Sequence, residues 1–487
     1  MNKKRFLASF SFGLFVLCLS SCGTRSLTEP TFAPTDGMRF TAYAGPTIAN
    51  WAGNNQNVNT LTDEHFQKLT EAGFNKIIAL YEGASYASGA DIYESIAARS
   101  EKAQKDALTA LSLCEKYHVS YYVRDWSFYG LYKNFLDQGI DNEAAFQKVI
   151  SRMFDSSNSY IHSSAYAGNF GGDEPRLEEM DRIVWQVDAY QEALKKAGVT
   201  GEVMVNLLPA YVAPIGLSKS GDRSYREYLQ YYFDHLAKKL GYVSYDYYPF
   251  LTDQFDGSFL RETYLYNLEL AASMCRDYGV ELRTFLQDCG DFTGLRTMCG
   301  VSDIRFQAYS EMAFGTKEII YYQYANGESS KTSNDYALLN YQDGSYNWTY
   351  DAVKTVNQEI HAFEDAYLAY DWNGVMYKNA DEMYENQNFA NLQNPLSSHP
   401  RVAFSSVSQD TLLTSFQAKE GGDDAFMLVN FTDPYFRKND VVTLRFSDAR
   451  GLLVYRMGQK MLITLPSNGE YTFNLYPGEG RFIIPIR

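Results

Sequence analysis

The sequence is poor in the residues that build metal and thiol sites. Its 487 residues include six histidines and six cysteines, with no Cys-x-x-Cys pair and no Cys/His cluster. Zinc sites need such spacings, so we expect neither a bound metal nor another cofactor. The first strand-like segment leads to Gly45-Pro46-Thr47 and not to a Gly-x-Gly-x-x-Gly phosphate loop. That absence argues against a dinucleotide-binding sheet.

Positive charge is also scarce. The formal net charge is −16, and it becomes −19 if an N-terminal signal carrying Lys3, Lys4 and Arg5 is removed. So acidic a chain is not expected to bind nucleic acid or an anionic membrane surface. Aromatic residues are plentiful, with 40 Tyr and 31 Phe. Acidic, aromatic-rich secreted proteins often bind sugars, although most of these rings are expected to pack the core.

The N-terminus has the pattern of a targeting segment. Three basic residues precede the apolar run Phe6–Leu19, which is short for a membrane span. The following Leu19-Ser20-Ser21-Cys22 resembles a bacterial lipobox, in which the cysteine receives the lipid. Residues 1–21 are therefore predicted to be a lipoprotein signal peptide and 22–37 a tether, with an ordinary secretory signal as the alternative. We expect an extracytoplasmic protein attached to a membrane of the cell envelope through lipid on Cys22.

Short apolar runs alternate with helical patterns from Met38 to about Tyr370. Eight such β-then-α units predict an α/β fold, a (β/α)₈ TIM barrel over residues 38–370. A doubly wound open sheet is the alternative. An amphipathic helix is predicted at Leu177–Lys196. The eight predicted strands are Arg39–Ala44, Lys76–Tyr81, Ser120–Trp126, Tyr166–Phe170, Glu202–Leu208, Tyr242–Tyr248, Glu281–Gln287 and Glu318–Tyr324.

The pattern changes after residue 370. Long helical stripes give way to strand-like runs separated by turn residues, which predicts a C-terminal all-β sandwich over residues 371–487. The predicted strands are Thr411–Phe416, Ala425–Asn430, Val441–Phe446, Gly451–Arg456, Lys460–Leu465, Glu470–Leu475 and Arg481–Ile484. Cys289 and Cys299 bracket a short loop, and they either form a disulfide or remain buried thiols.

Two adjacent carboxylates, Asp173 and Glu174, follow the fourth predicted strand. Side chains at the C-terminal ends of barrel strands converge on one mouth, where barrel enzymes have their active sites. Neighbouring side chains in a strand point to opposite faces, so both can face the mouth only if the backbone leaves the strand at Gly171 and Gly172. Close carboxylates push their pKa values apart and leave one as a candidate acid. In the alternative, one carboxylate caps the helix and the other is solvated.

The other predicted strand ends add carboxylates, amides and aromatic rings, but no histidine. This set disfavours acyl-transfer triads and metal hydrolysis and favours carboxylate acid/base chemistry on a sugar. Trp51 and Trp348 could add sugar platforms. Asp288 is a third catalytic candidate, and the predicted substrate-binding residues are Tyr43, Glu82, Arg124, Asp125, Trp126, Asn206, Asp246, Tyr247, Tyr248, Gln287 and Tyr322.

Several of these segments resemble β-galactosidase-like members of the clan A glycoside hydrolases. Gly172-Asp173-Glu174-Pro175 is similar to their Asn-Glu-Pro, and similar segments span residues 245–250, 306–322 and 339–360. The resemblance implies that Glu174 is the general acid/base. The clan's nucleophile is a glutamate that ends strand seven, where this chain has Gln287 followed by Asp288. The simple retaining mechanism is therefore not carried over.

The Asp173-Glu174 pair also resembles that of substrate-assisted β-N-acetylgalactosaminidases. In such enzymes the glutamate protonates the leaving oxygen, and the aspartate orients the substrate's own 2-acetamido nucleophile. Tyr247 or Tyr248 would then bond the acetamido oxygen. A third option is inversion, with Asp246 or Asp288 as the base and roughly 6.5–9.5 Å between carboxyls, against about 5–5.5 Å for retention.

These features predict an extracytoplasmic glycoside hydrolase acting on an oligo- or polysaccharide, with Glu174 as general acid/base and Asp173 as its partner. The main alternative is a catalytically inactive, glycan-binding lipoprotein on a hydrolase-like barrel, which Gln287 at the nucleophile position favours. A secreted lyase is the third possibility, and it would release unsaturated products.

Overall fold

The computed structural model describes residues 27–47, 58–79, 92–125, 128–129, 142–154, 159–252, 259–288, 290, 294–296, 298, 300–325, 337–340 and 343–487. Six residues singled out from the sequence lie outside these ranges: Cys22, Trp51, Glu82, Trp126, Cys289 and Cys299.

Eight parallel strands form the first sheet, and their order follows the chain. A parallel bridge between Leu207 and Tyr245 joins the fifth strand to the sixth and closes the sheet into a barrel. The predicted (β/α)₈ fold is therefore confirmed. The strands are β1 (Arg39–Tyr43), β2 (Lys76–Ile78), β3 (Ser120–Val123), β4 (Tyr166–Asp173), β5 (Glu202–Asn206), β6 (Tyr242–Asp246), β7 (Glu281–Gln287) and β8 (Glu318–Tyr322).

A helix follows each barrel strand and covers the outside of the sheet. Helix α4 coincides closely with its prediction and ends at Gly198 in the left-handed conformation, which a glycine adopts without strain. Helix α5 continues through a π-helical segment to Leu240. The helices are α1 (Asp63–Glu71), α2 (Ile92–Tyr117), α3 (Asn142–Phe154), α4 (Leu177–Ala197), α5 (Tyr225–Tyr232), α6 (Tyr264–Tyr278), α7 (Val301–Ala313) and α8 (Trp348–His361).

Several predicted strands extended past the observed ends. Strand β5 stops at Asn206 and β6 at Asp246, although the apolar runs continue through Leu208 and Tyr248. The side chains of Leu207, Leu208 and Tyr247 are buried above the barrel. Apolar sequence therefore continues into the loops, since these residues pack over the strand ends.

A buried ion network fills the N-terminal end of the barrel. The carboxylate of Glu318 lies 3.1 Å from Arg39 Nε, 3.1 Å from Lys76 Nζ and 3.4 Å from Arg283 Nε. Thr41 Oγ1 also donates to Glu318 Oε1 at 2.6 Å. Against the effect of burial, these three cations hold the pKa of Glu318 well below its usual value. This end of the barrel is packed with paired charges, and the opposite end carries the candidate site.

The C-terminal region forms two antiparallel sheets that pack face to face. Leu413, Phe426 and Leu428 of the larger sheet share a core with Val442 and Phe473 of the smaller one. This arrangement is the predicted all-β sandwich. The strands of this region are β9 (Tyr370–Lys378), β10 (Val402–Ser406), β11 (Thr411–Ala418), β12 (Ala425–Asn430), β13 (Asp440–Phe446), β14 (Gly451–Arg456), β15 (Gln459–Thr464), β16 (Glu470–Leu475) and β17 (Gly480–Ile486). The larger sheet has six strands in the order β9-β11-β12-β17-β14-β15, and the smaller sheet has three in the order β10-β13-β16.

Strands β9 and β10 were not predicted, because their polar residues and Gly374 hide the alternation of buried positions. Strand β9 begins at Tyr370, where the predicted barrel ends, and the boundary at 370/371 stays a prediction. Aromatic rings join the two regions: Phe306 of α7 lies 5.2 Å from Phe431, centroid to centroid. Within the described residues, no helix combines the length and the apolar character needed to cross a membrane.

Candidate active site

The end of β4 carries the two adjacent carboxylates. A bulge between Phe170 and Gly172 interrupts the register with β5. A Cβ on Gly171 would lie 2.3 Å from Val203 Cγ1, so only glycine fits there. Asp173 ends the strand, and Glu174 has a φ of 49°, which turns the chain away from the sheet. The strand therefore continues through both glycines, and the predicted departure of the backbone there is wrong: the chain leaves the sheet at Glu174.

Neither carboxylate caps the following helix. Arg176 is the N-cap residue of α4, and its backbone N–H donates to Glu179 Oε2 at 2.8 Å. Asp173 and Glu174 precede this cap, so their side chains are available for contacts across the mouth.

Glu174 meets Asp246, the last residue of β6. The two carboxyl groups lie within hydrogen-bonding reach, and a bond between them forms only when one carries a proton. Asp246 is 5% exposed, whereas Glu174 is exposed. Burial, followed by the charges of Glu174 and Asp173, raises the pKa of Asp246 well above its usual value. The pair can thus hold a proton at a pH where separate carboxyls would have lost it.

Asn206, at the end of β5, fixes this pair from between the two strands. Its backbone oxygen accepts the N–H of Glu174 at 2.9 Å, and its Nδ2 donates to Asp246 Oδ1 at 2.9 Å. Ser244 Oγ donates to Asn206 Oδ1 at 3.0 Å, which orients the amide. Three neighbouring strand ends therefore determine where the carboxyls meet.

Arg124, which follows β3, holds Asp173. Its Nη2 donates to Asp173 Oδ2 at 3.2 Å, and its Nη1 donates to the Tyr43 hydroxyl at 2.6 Å. The guanidinium is 1% exposed and lies 4.7 Å from the Tyr129 ring and 4.6 Å from the Phe170 ring. Packing on both rings restricts the guanidinium, so it can position Asp173.

A row of aromatic rings lies beside the carboxylates. The Tyr322 ring, at the end of β8, is 5.4 Å from the Tyr43 ring and 5.1 Å from the Tyr248 ring, centroid to centroid. Tyr248 and Tyr322 are partly exposed. Partly exposed rings at a barrel mouth offer apolar faces on which a sugar ring can stack.

The sequence did not single out Tyr211 or Arg261. Tyr211 follows β5, and the Arg261 guanidinium lies 3.8 Å from the centroid of its ring. The Tyr247 ring packs edge-on at 5.1 Å. Burial, then the negative charges of Asp246 and Glu174, raises the pKa of Tyr211. The position of Tyr211 after a barrel strand was the only feature of the sequence that could have indicated a site residue, because a lone tyrosine in a loop forms no motif.

Besides Arg124 and Asn206, four predicted site residues have almost no exposed surface: Asp125, Tyr247, Gln287 and Asp288. Gln287 Oε1 accepts the backbone N–H of Phe250 at 3.2 Å, and its Nε2 donates to the backbone oxygen of Arg296 at 3.1 Å. These side chains support the mouth from below in this structure. Protein encloses each of these side chains, so a substrate cannot reach them from solvent in this structure. Their predicted contact with a substrate stays a prediction.

The supporting contacts of the other buried residues are local. Tyr160 donates its hydroxyl to Asp125 Oδ2 at 3.1 Å, and the Tyr247 hydroxyl lies 2.8 Å from that of Thr263. Trp348 begins α8 and is 40% exposed.

The described residues contain no group of three or more His, Cys, Asp or Glu side chains placed to hold a metal ion. Cys114 and Cys275 are buried free thiols.

A cleft of about 470 Å³ opens at Glu174. The N-terminal turns of α4 and the loop after β5 form its walls, and Leu208 and Val212 contribute apolar surface. We call this space the Glu174 cleft; its charged lining residues are Glu174, Arg176, Glu178, Glu179, Arg182 and Lys219.

Neither a protein-family model nor a curated protein matches the chain. Solved structures of glycoside hydrolases do resemble it. The β-galactosidase from Marinomonas ef1 is 9% identical, with a TM-score of 0.45 over 68% of this chain and 60% of that one. The endo-β-1,4-mannanase from Thermotoga petrophila is 9% identical, with a TM-score of 0.42 over 90% and 91% of the two chains. A GH30 endoxylanase from Clostridium papyrosolvens is 11% identical, with a TM-score of 0.35 over 93% and 98%.

Proposed function

We propose that the protein is a glycoside hydrolase with Glu174 as its general acid/base. The observation that carries the proposal is the meeting of Glu174 with the buried Asp246, whose pKa is raised, at the mouth of a (β/α)₈ barrel. Glycoside hydrolysis needs a carboxylic acid that keeps its proton near neutral pH and delivers it to the leaving oxygen. Glu174 is the exposed member of the pair, so it is the one that can reach a substrate.

The geometry favours the substrate-assisted mechanism over the other two. Asp246 is buried and its pKa is raised, which disfavours it as the ionised base that inversion requires. Asp288 is fully buried, which disfavours it as nucleophile or base. Asp173 is next to Glu174, and the hydrogen bond from Arg124 holds it in place. A side chain that orients a substrate needs such a fixed position.

The steps follow from these positions. Glu174 gives its proton to the glycosidic oxygen while the 2-acetamido oxygen of the substrate attacks C1, which breaks the C1–O bond and forms a cyclic intermediate. Asp173 accepts a hydrogen bond from the acetamido N–H and stabilises the positive charge that develops there. Glu174, now ionised, removes a proton from water, which attacks C1 and reopens the ring. The substrate class is thus an N-acetylhexosaminide.

The replacement Glu174→Gln tests the assignment on a panel of chromogenic glycosides that includes N-acetylhexosaminides. We expect kcat to fall by about 10²–10⁴-fold, with KM changed little, because the acid is lost and the shape is kept. Glu192→Gln, at the exposed C-terminal half of the same helix, is the matched control. Unchanged turnover in the Glu174 variant would contradict the proposal.

A glycan-binding protein without activity is the second candidate. The observation that favours it is Gln287, whose amide is bound to backbone atoms where clan A enzymes have their nucleophile. Binding of glycans without turnover of any glycoside on the panel would support this candidate and exclude the first.

We also propose that the protein is extracytoplasmic and anchored by lipid on Cys22, as its sequence motif suggests. In cells supplied with a labelled fatty acid, the wild-type protein should carry label and sediment with membranes. Cys22→Ala should lose the label, and a variant that is still labelled would contradict this proposal.

A further inference from the structure

Glu174 has two neighbouring spaces, and a substrate must use both. On one side its carboxyl lies within hydrogen-bonding reach of Asp246 at the barrel mouth, next to Asp173. On the other side it lines the Glu174 cleft. A general acid lies beside the bond that it protonates, so the sugar on each side of that bond occupies a different space. The sugar that is cleaved off then lies in the cleft.

The cleft has the size and the surfaces of a sugar site. Its volume of about 470 Å³ falls within the roughly 300–1,000 Å³ of small-molecule sites. Leu208 and Val212 provide apolar surface for the face of a ring, and charged side chains surround them.

Three cations line this cleft, together with the carboxylates of Glu174, Glu178 and Glu179. Arg176, Arg182 and Lys219 all line it. The side chains of Arg176 and Lys219 are exposed, and within the described residues neither forms an ion pair. Both can therefore bind an incoming anion without first breaking a salt bridge.

Two carboxylates of the cleft, Glu178 and Glu179, each accept a backbone N–H. Glu178 Oε1 accepts the N–H of Lys219 at 2.9 Å, and Glu179 Oε2 accepts the N–H of Arg176 at 2.8 Å. These bonds tie the carboxylates to the walls of the cleft. They also fix the backbone positions from which the Arg176 and Lys219 side chains extend.

We propose that the Glu174 cleft binds the leaving sugar and that this sugar carries an anionic group, a carboxylate or a sulfate. The inference deepens the proposed hydrolase function and rests on it. Arginine matches the paired oxygens of such groups with two parallel N–H bonds, and lysine adds a point charge.

The test measures binding of three monosaccharides by calorimetry: glucuronate, glucose 6-sulfate and glucose. We expect the protein to bind at least one of the two anionic sugars about tenfold or more tightly than glucose. The double replacement R176A/K219A should remove this preference, and it leaves intact both backbone N–H groups that hold Glu178 and Glu179. Arg223→Ala, an exposed cation that does not line the cleft, should keep the preference.

The same titrations in Glu174→Gln separate the two proposals. Because binding is measured without turnover, the preference should persist in this variant. No preference for either anionic sugar, or a preference unchanged in R176A/K219A, would overturn the cleft assignment and leave the hydrolase proposal standing. A preference that is lost in the double variant, combined with full turnover in Glu174→Gln, would support the cleft and overturn Glu174 as the acid.

Discussion

The carboxyl of Asp246 lies within hydrogen-bonding reach of that of Glu174, although β5 lies between their two strands. Asn206 at the end of β5 bonds both residues, with its backbone oxygen on one side and its amide on the other. Three consecutive strand ends thereby place the two carboxyls together at the barrel mouth.

The raised pKa of Asp246 gives the protein a defined pH dependence. The folded state binds this proton more tightly than the unfolded state, so stability falls as pH rises from about 3.9 through the raised value. Asp246→Asn mimics the protonated form. Its free energy of unfolding relative to wild type should rise across that window by about 1.4 kcal/mol for each unit separating the two pKa values. Urea unfolding at a series of pH values measures this difference.

Asp277→Asn, at an exposed carboxylate that pairs with Arg276, is the control, and its difference from wild type should stay nearly constant. A pH-independent difference for Asp246→Asn as well would show that Asp246 keeps no proton in the folded protein.

Lysine should not be able to replace Arg124 in positioning Asp173. An ammonium cannot bond Asp173 and Tyr43 together while stacking on two rings, so Asp173 would lose its position. We expect Arg124→Lys to lower kcat/KM by about 10²-fold, a typical cost of misplacing a reacting group. Steady-state kinetics measure the loss, with circular dichroism as a check on folding. Arg276→Lys, which stacks near Trp372, is the control; equal kinetics in both variants would contradict a positioning role.

Tyr211 should contribute to substrate binding at the mouth. Its hydroxyl is close enough to Asp246 and Glu174 to be affected by their charges. Tyr211→Phe should lower kcat/KM about tenfold, the effect of one lost hydrogen bond of about 1.4 kcal/mol. Tyr231→Phe, whose hydroxyl bonds Asp181 on the outer surface, should keep full activity. If both variants match wild type, Tyr211 does not touch the substrate.

Glu318 should stabilise the barrel without taking part in catalysis. Its replacement by Gln leaves three cations around a neutral group, and breaking a buried ion pair costs about 3–5 kcal/mol. The folded pKa is lowered, so the contribution is present above the unfolded value of about 4.3 and is lost as pH falls below it. Urea unfolding of wild type and Glu318→Gln at pH 7 and at pH 3 measures this. An equal difference at both pH values would contradict the assignment.

The sequence predicted the barrel because its eight strands are buried on both faces and therefore appear as apolar runs. It could not predict where several strands end, since residues such as Leu208 and Tyr247 stay buried after the chain has left the sheet. Strand β9 was missed because a bulge between Trp372 and Gly374 breaks the alternation of buried and exposed residues.

The sequence likewise predicted some features of the candidate site and not others. The chain alone indicated Asp173 and Glu174, because adjacent carboxylates after two glycines at a strand end form a local pattern. The pairing of Glu174 with Asp246, and the enclosure of Gln287 and Asp288, depend on contacts between distant segments. Local sequence indicates which residues lie near the end of a strand. Only the closed barrel decides which of their side chains meet and which are buried, because both depend on the packing of neighbouring strands.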